Sequence, residues 1–443
     1  MSVISACIRQ VFMLIIAVAF LPGAALSSTP QVELSLDSAI GLALENNPRI
    51  EIATAQEAAS TGVLTTSKSR FLPRLTAGAD YGWTRIDGLN PVEEDNFAHG
   101  LLRISQLIWD FGRSTGLLDT SAFSLAAARE NLLQTRHDIV FETKAQFYAI
   151  LEKQRLITVA EQAVANYEVQ LYRAQKNYEA GVRARIDVTN AQVNLANQNL
   201  GLLRAQSNLK TARVQFENTL GLQPNSGEYT LVSGEPRLAA LAAGKPKMPG
   251  TLEQLIPRAQ ENRPGLKRYT FLVQAAQSAV NSAKGDYWPT ISAVGDYNGY
   301  STDISSLADQ WQVSVGLSWE LFSGFATEGK VAEANAQLRE TKAALREFEL
   351  VIVRDVTDSY LRAAENSSAV DIADRTLSLA KDNLDLADGR YKAGIGDILE
   401  YNDAQLLYTE NQSNLVSAYY TYLTALAQIE RSVGIIPELL ATD

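Results

Sequence analysis

The chain has 443 residues, and its 39 Lys plus Arg against 50 Asp plus Glu give a net charge of -11. That balance tells against a nucleic-acid partner, which needs a basic face to displace counterions from phosphates. The only cysteine, Cys7, lies near the start, which excludes a disulfide scaffold and a cysteine-ligated metal site from the rest.

Residues 1–27 read as a secretory signal peptide: one basic residue, Arg9, the apolar block VFMLIIAVAFL, then Gly23, Ala24 and Ala25 before cleavage near Ala25 or Ser27. The alternative is an uncleaved N-terminal anchor. No cysteine stands at the cleavage point to carry a lipid, and no run of eighteen apolar residues follows, so no membrane-spanning helix is expected. Export without a helical anchor leaves the periplasm, the outer membrane or the medium.

Proline maps the remainder. None lies between Pro91 and Pro224 or between Pro289 and Pro437, while Pro224, Pro236, Pro246, Pro249, Pro257 and Pro264 crowd the middle. Proline is excluded from helix interiors, so the empty zones can hold long helices and the crowded zone reads as an irregular connection. The two halves are also copies. ALENNPRIEIATAQEAAS from Ala43 answers RAQENRPGLKRYTFLVQAAQSA from Arg258, with Pro48 and Pro264, and Pro73 and Pro289, each 216 residues apart. Farther on, Tyr178 and Tyr391, Gly181 and Gly394, and Gln192 and Gln405 are each 213 apart, so three residues are lost in the segment after Pro289. A duplication whose bend motif matches without a gap over fifteen residues predicts one body from two structural repeats, 28–221 and 251–443, joined by a linker at 222–250.

After each repeat's second proline the period becomes two. Phe71, Pro73, Leu75, Ala77, Ala79, Tyr81 and Trp83 alternate with Arg74, Thr76, Gly78, Asp80 and Thr84. From Tyr287 the odd positions Ile291, Ala293 and Tyr297 face Thr290, Ser292, Asp296 and Asn298, and Trp311 to Leu321 alternates equally clearly. Phe97 to Trp109 alternates poorly and is read as a strand from its repeat partner. With polar turns around Asp87 to Asn96 and Thr302 to Leu307, each repeat holds one hairpin. Four strands are too few to close a barrel or to cover one another. Tyr81, Trp83, Tyr287, Trp288, Trp311 and Trp319 suit the aromatic girdles of an outer-membrane barrel. An open sheet edge cannot stand in lipid, so other chains must complete the sheet.

After the hairpins the period becomes seven. Leu118, Leu125, Leu132 and Ile139 answer Val331, Leu338, Leu345 and Ile352. An eleven-residue step leads to Ile150, Ile157, Val164, Leu171 and Tyr178, matched by Ala363, Val370, Leu377, Leu384 and Tyr391. Past each bend, Val188, Leu195, Leu202, Leu209 and Phe216 answer Tyr401, Tyr408, Leu415, Tyr422 and Ile429. Heptads make a coiled-coil seam, and an eleven-residue step unwinds it locally, so the helices should change packing partway along. About 65 residues from Arg113 to Tyr178 make a helix of roughly 100 Å. The bends themselves are YEAGVRARIDVTNAQ at Tyr178 to Gln192 and YKAGIGDILEYNDAQ at Tyr391 to Gln405, each turning at a glycine.

Taken in order, LSLDSAIGLALENNP, SRFLPRL, SQLIWDFGR, GDYWPTI, LSWELFSGF and the two bend motifs resemble the TolC-type outer-membrane channel proteins of tripartite efflux pumps and type I secretion systems. The resemblance covers the whole mature chain and implies a mainly α protein with a membrane β-barrel. Three chains would pool four strands each into a twelve-stranded barrel, and their helical hairpins would form a trimeric α-barrel through the periplasm. Residues from Leu222 to Pro249 would belong to an equatorial belt.

By the same resemblance, the bends at Ala180, Gly181 and Val182 and at Ala393, Gly394 and Ile395 would dock a periplasmic adaptor and close the pore. The family's acidic constriction falls on Glu400 and Asp403, Glu400 standing where well-known members carry Asp. Asp187 and Tyr391 match positions that tie neighbouring helices shut. Their usual basic partner is here Gly396, so Arg183 or Arg185 would have to substitute. Glu400 and Asp403 are three apart and face the same way, so a threefold axis would gather six carboxylates into a cation-attracting ring.

Other chemistry is thin. His99 and His137 lack an HExxH spacing, and AGIGD lacks the lysine of a phosphate loop, so no metal, cofactor or enzymatic activity is expected. The reading is an exit duct that passively exports small toxic compounds, energised by an inner-membrane pump or ABC transporter through the adaptor. The alternatives are a protein-secretion duct of the same fold and a soluble periplasmic coiled-coil scaffold.

Overall fold

The structure, a computed structural model, describes residues 32–86, 93–224, 229–232, 238–301 and 308–435. The expected signal peptide and the turns at 87–92 and 302–307 lie outside them. In order, the elements are β1 (Val32–Leu34), α1 (Leu36–Asn46), α2 (Pro48–Lys68), β2 (Arg74–Ile86), β3 (Glu93–Trp109), α3 (Arg113–Glu179), α4 (Arg185–Thr219), β4 (Tyr229–Leu231), α5 (Leu252–Asn262), α6 (Pro264–Lys284), β5 (Thr290–Ser301), β6 (Ala308–Ser318), α7 (Ala326–Lys392) and α8 (Ile398–Val433).

The duplication is close in the helices, where only α4 and α8 differ, with 35 and 36 residues, and looser in the strands. α2 and α6 each have 21 residues, and α3 and α7 each have 67, which makes the long helices about 100 Å. The missing three residues fall between β5 and α7: strands of 12 and 11 residues replace 13 and 17, seven fewer, while the connection from sheet to long helix is four longer, 319–325 against 110–112. Proline at the first helical position starts α2 and α6, where its missing N–H costs nothing. Among the described residues no helix is long and apolar enough to cross a membrane.

The strands form one antiparallel sheet in the order β2-β3-β5-β6, leaving β2 and β6 as free edges. They start later than the alternation suggested. Ser69–Phe71 and Gly285–Tyr287 are short 3-10 turns, and pairing begins at Arg74 and Thr290, immediately after Pro73 and Pro289. Proline forces its predecessor into an extended backbone and has no N–H for the ladder. β6 stops at Ser318 rather than Leu321, because Ser318 already pairs with Thr290, the first residue of its partner. β3 alternates poorly because apolar Leu101 and Leu107 share the face of Arg103 and, at its end, Leu107 pairs with Ser292 and Trp109 with Ile291, a bulge of one residue. The bulge moves Trp109 from the polar to the apolar face. That face carries exposed Leu75, Tyr81, Trp83, Leu102, Ile104, Trp109, Trp311, Val313 and Val315. The other face carries polar pairs, among them Arg103 and Asp296, in register and 2.6 Å apart.

The packing change expected from the eleven-residue step occurs. Near the sheet α3 lies between α2 and α6, with α7 beyond α6; toward the tips α3 lies between α4 and α8, with α7 beyond α8. Two end-to-end joints make this possible. α4 ends against the start of α2, where Asn47 Nδ2 donates to Thr219 O at 2.7 Å. α8 ends in the same way against α6. Each joint turns on a left-handed glycine, Gly221 and Gly434, both with φ of 74°. A Cβ on Gly221 would lie 2.2 Å from Asn46 O.

The main core sits between the two layers. Ile139, Phe147 and Ile150 of α3, Phe216 and Leu220 of α4, and Leu415, Tyr420 and Tyr422 of α8 are buried there, closed by Leu34 and Leu231 of the parallel β1–β4 pair. The proline-rich segment is tied to this level: Tyr422 Oη donates to Pro246 O at 2.7 Å, and Lys245 Nζ reaches Ser367 O at 2.9 Å and Asp371 at 2.7 Å. Of the heptad positions, Leu125, Ile139 and Ile150 and their counterparts Leu338, Ile352 and Ala363 are buried, as are Leu132 and Val370, whose counterparts Leu345 and Ile157 are half-buried.

Candidate functional site

The two hairpin tips are built alike. In the first, Gly181 adopts φ of 71°, and the carbonyl of Asn177 accepts from the amides of Val182 at 2.9 Å and Arg183 at 3.3 Å. In the second, Gly394 adopts φ of 77°, and the carbonyl of Arg390 accepts from Ile395 at 3.1 Å and Gly396 at 3.0 Å. These bonds satisfy the last carbonyls of α3 and α7 and require a residue that enters the left-handed region freely. Ala180, Gly181, Val182, Ala393, Gly394 and Ile395 are all exposed. Val182 and Ile395 are large apolar groups held 70% and 72% exposed at the extreme ends.

The side chains distinguish the tips. Glu400 of α8 meets Arg390 of α7, with Nε 3.1 Å from Oε1. One position along, the rings of Tyr391 and Tyr401 stack with centroids 5.8 Å apart and planes 20° from parallel. Two rungs therefore cross the second bend. At the constant offset of 213, the first tip has Asn177 opposite Asp187 and Tyr178 opposite Val188, so it lacks both. Among the described residues Arg183, Arg185, Asp187 and Asp403 form no ion pair within the chain. Asp403 is exposed and Asp187 half-buried.

The tips are joined through α3 and α8. Tyr167 of α3 is buried against α8. Burial pushes its hydroxyl above the ordinary range, and Tyr401, Asp403 and Glu410 push the same way. Arg173 of α3 also lies 3.9 Å from Asp388 of α7, which Lys392 pairs as well. Sequence reasoning found Glu400 and Tyr391 but missed their partners Arg390 and Tyr401. The available signal was an opposite-charge pair and an aromatic pair, each ten residues apart across the same glycine.

The profile of the outer membrane efflux protein family matches residues 39–222 and 255–435, one segment in each repeat. The chain belongs to the outer membrane efflux protein family. Among relatives, the outer membrane protein TolC of Vibrio cholerae is 23% identical over 411 residues, covering 89% of this chain and 90% of that one. The toluene efflux pump outer membrane protein TtgI of Pseudomonas putida is 22% identical over 402 residues, covering 88% and 83%. The outer membrane channel CmeC of Campylobacter jejuni has the same fold, with a TM-score of 0.81 at 14% identity over 94% of each chain. As an outer membrane efflux protein the chain sits in the outer membrane and extends into the periplasm, which sets aside the soluble scaffold. The exposed apolar sheet face is then the lipid-facing surface.

Proposed function

We propose that three copies assemble into a passive exit duct that carries small toxic compounds from a periplasmic pump assembly to the medium. The observation that carries this reading is a pair of uncovered seams. α4 and α7 are the outermost helices of the tip layer, and each bears an exposed apolar heptad row: Ile186, Val193 and Leu200 on α4, and Ile372, Leu379 and Leu386 on α7. Such rows are half of a coiled-coil interface and require a partner helix. The free edges β2 and β6 lie at the two ends of the sheet. β6 of one copy pairing with β2 of the next would close a twelve-stranded barrel while α7 meets α4 below it, satisfying backbone groups that lipid cannot.

In this assembly residues 28–221 and 251–443 act as two repeats, and 222–250 forms a belt around the tunnel. The tips form the periplasmic mouth. Val182 and Ile395, exposed at the extreme ends, are the side chains this reading assigns to adaptor docking there. Glu400 and Asp403 form the constriction, with Asp187 and Tyr391 contributing to closure from the neighbouring helices. The toluene efflux relative supports a small-molecule cargo. In planar bilayers, Glu400→Ala with Asp403→Ala should lower cation preference, and unchanged selectivity would remove these residues from the pore. Deleting the gene should make cells accumulate solvents or drugs; loss of a large exported protein instead would favour a secretion duct.

A further inference from the structure

We propose that Arg390 sets the charge of the constriction by holding Glu400 as an ion pair, so that Asp403 alone supplies its free carboxylates. This rests on the duct reading above. Whichever way Glu400 faces, its carboxylate carries a guanidinium 3.1 Å away, and the two charges cancel at any distance much greater than that. The stacked Tyr391 and Tyr401 rings brace the same two helices one position along, so the guanidinium is held where the carboxylate is. Asp403 forms no ion pair among the described residues. Arg390 and Lys392 close the last turn of α7, where cations are also favoured by the helix dipole. Nothing equivalent stands in the first tip, where Asn177 replaces the arginine. A duct of three copies would thus present three free acids rather than six, together with three neutral pairs. Arg390 is a specificity-determining residue, acting on permeating ions through Glu400.

The test is the reversal potential of reconstituted channels in a tenfold KCl gradient. A unit charge at roughly 10 Å in water changes local ion concentration about two-fold, partly screened at moderate salt. Arg390→Gln should therefore raise the potassium-to-chloride permeability ratio about two-fold or more, and Glu400→Gln should lower it by a similar factor. The double variant Arg390→Gln with Glu400→Gln should return it close to wild type, while Asp403→Asn should lower it in every background. Arg390→Lys should preserve the wild-type ratio, which guards against a merely misfolded tip. A ratio that Arg390→Gln leaves unchanged while Asp403→Asn shifts it would overturn the proposal and leave the duct intact. No conductance from the wild-type protein would overturn the duct reading itself.

Discussion

The joint between α4 and α2 makes a quantitative claim about Gly221. Its φ of 74° would cost an alanine about 1–2 kcal/mol as left-handed strain. Its Cβ would also sit 2.2 Å from Asn46 O and 2.6 Å from Asn46 C, both backbone atoms that no rotamer can move away. The joint must then open, and the 2.7 Å bond from Asn47 to Thr219 is lost at about 0.5–1.5 kcal/mol. Gly221→Ala should therefore destabilise by about 1.5–3.5 kcal/mol on these terms. Two controls isolate the clash. Gly181 has nearly the same φ, 71°, but nothing within 4 Å of its Cβ position, so Gly181→Ala should carry the strain alone. Gly201 lies inside α4 with equally open space, and Gly201→Ala should stabilise by up to about 1 kcal/mol. The assay is thermal unfolding of the assembled protein in detergent, followed by helix circular dichroism. The expected order of midpoints is Gly201→Ala, wild type, Gly181→Ala, Gly221→Ala. Equal midpoints for the last two would refute the tight joint.

Other consequences follow from the core between the layers. Phe216 is fully buried and meets Phe147 edge-on at 6.2 Å, so Phe216→Ala should cost about 3–5 kcal/mol, read as a lower midpoint in the same melts. His137 is buried, and burial pushes its pKa below the ordinary value against a smaller opposing pull from Asp138. Because the folded pKa is depressed, the unfolded chain binds a proton near pH 6.5 that the folded chain refuses. Stability should fall as pH drops through that point, by about 1.4 kcal/mol per pH unit until the folded pKa is reached. His137→Gln should flatten the part of the melting profile between pH 7 and pH 5 that this proton causes; a slope unchanged by the substitution would assign it elsewhere.

The fold was legible where periodicity is strict. Heptads separated by an eleven-residue step dictated both the length of α3 and α7 and the change of neighbours along them, since a seven-residue row cannot stay on one face of a straight helix. Legibility failed where a backbone feature outweighed side-chain pattern. Pro73 and Pro289 delayed the strands beyond the onset of alternation, and the bulge at Leu107 to Trp109 hid the period at the end of β3. A period-two count has no way to register an extra residue, and apolar Leu101 and Leu107 on the face of Arg103 blur the rest, so the longest strand gave the weakest signal. The joints at Gly221 and Gly434 were equally hidden. Those glycines read as ordinary helix ends until Asn46 and Arg263 are seen packed against them.

At the tips the limit was of a different kind. A motif match transfers positions one at a time, so it carried over Glu400, Asp403 and Tyr391 and looked for a basic partner at the position where relatives have one. Finding Gly396 there, it turned to Arg183 and Arg185 in the other repeat. The geometry supplies the cation from the opposite side of the same bend. Arg390 lies one turn before the glycine and Glu400 less than one turn into α8, and the antiparallel return of the chain brings them together. An arginine at that place meets an acid within its own hairpin, so the pair forms without a neighbouring subunit. Under the proposed assembly, that position makes the cation a setter of charge at the mouth rather than a contact between subunits. A latch between subunits in that assembly would draw on tip groups that form no ion pair within the chain among the described residues, and Asp187, Arg183, Arg185 and Asp403 are among them.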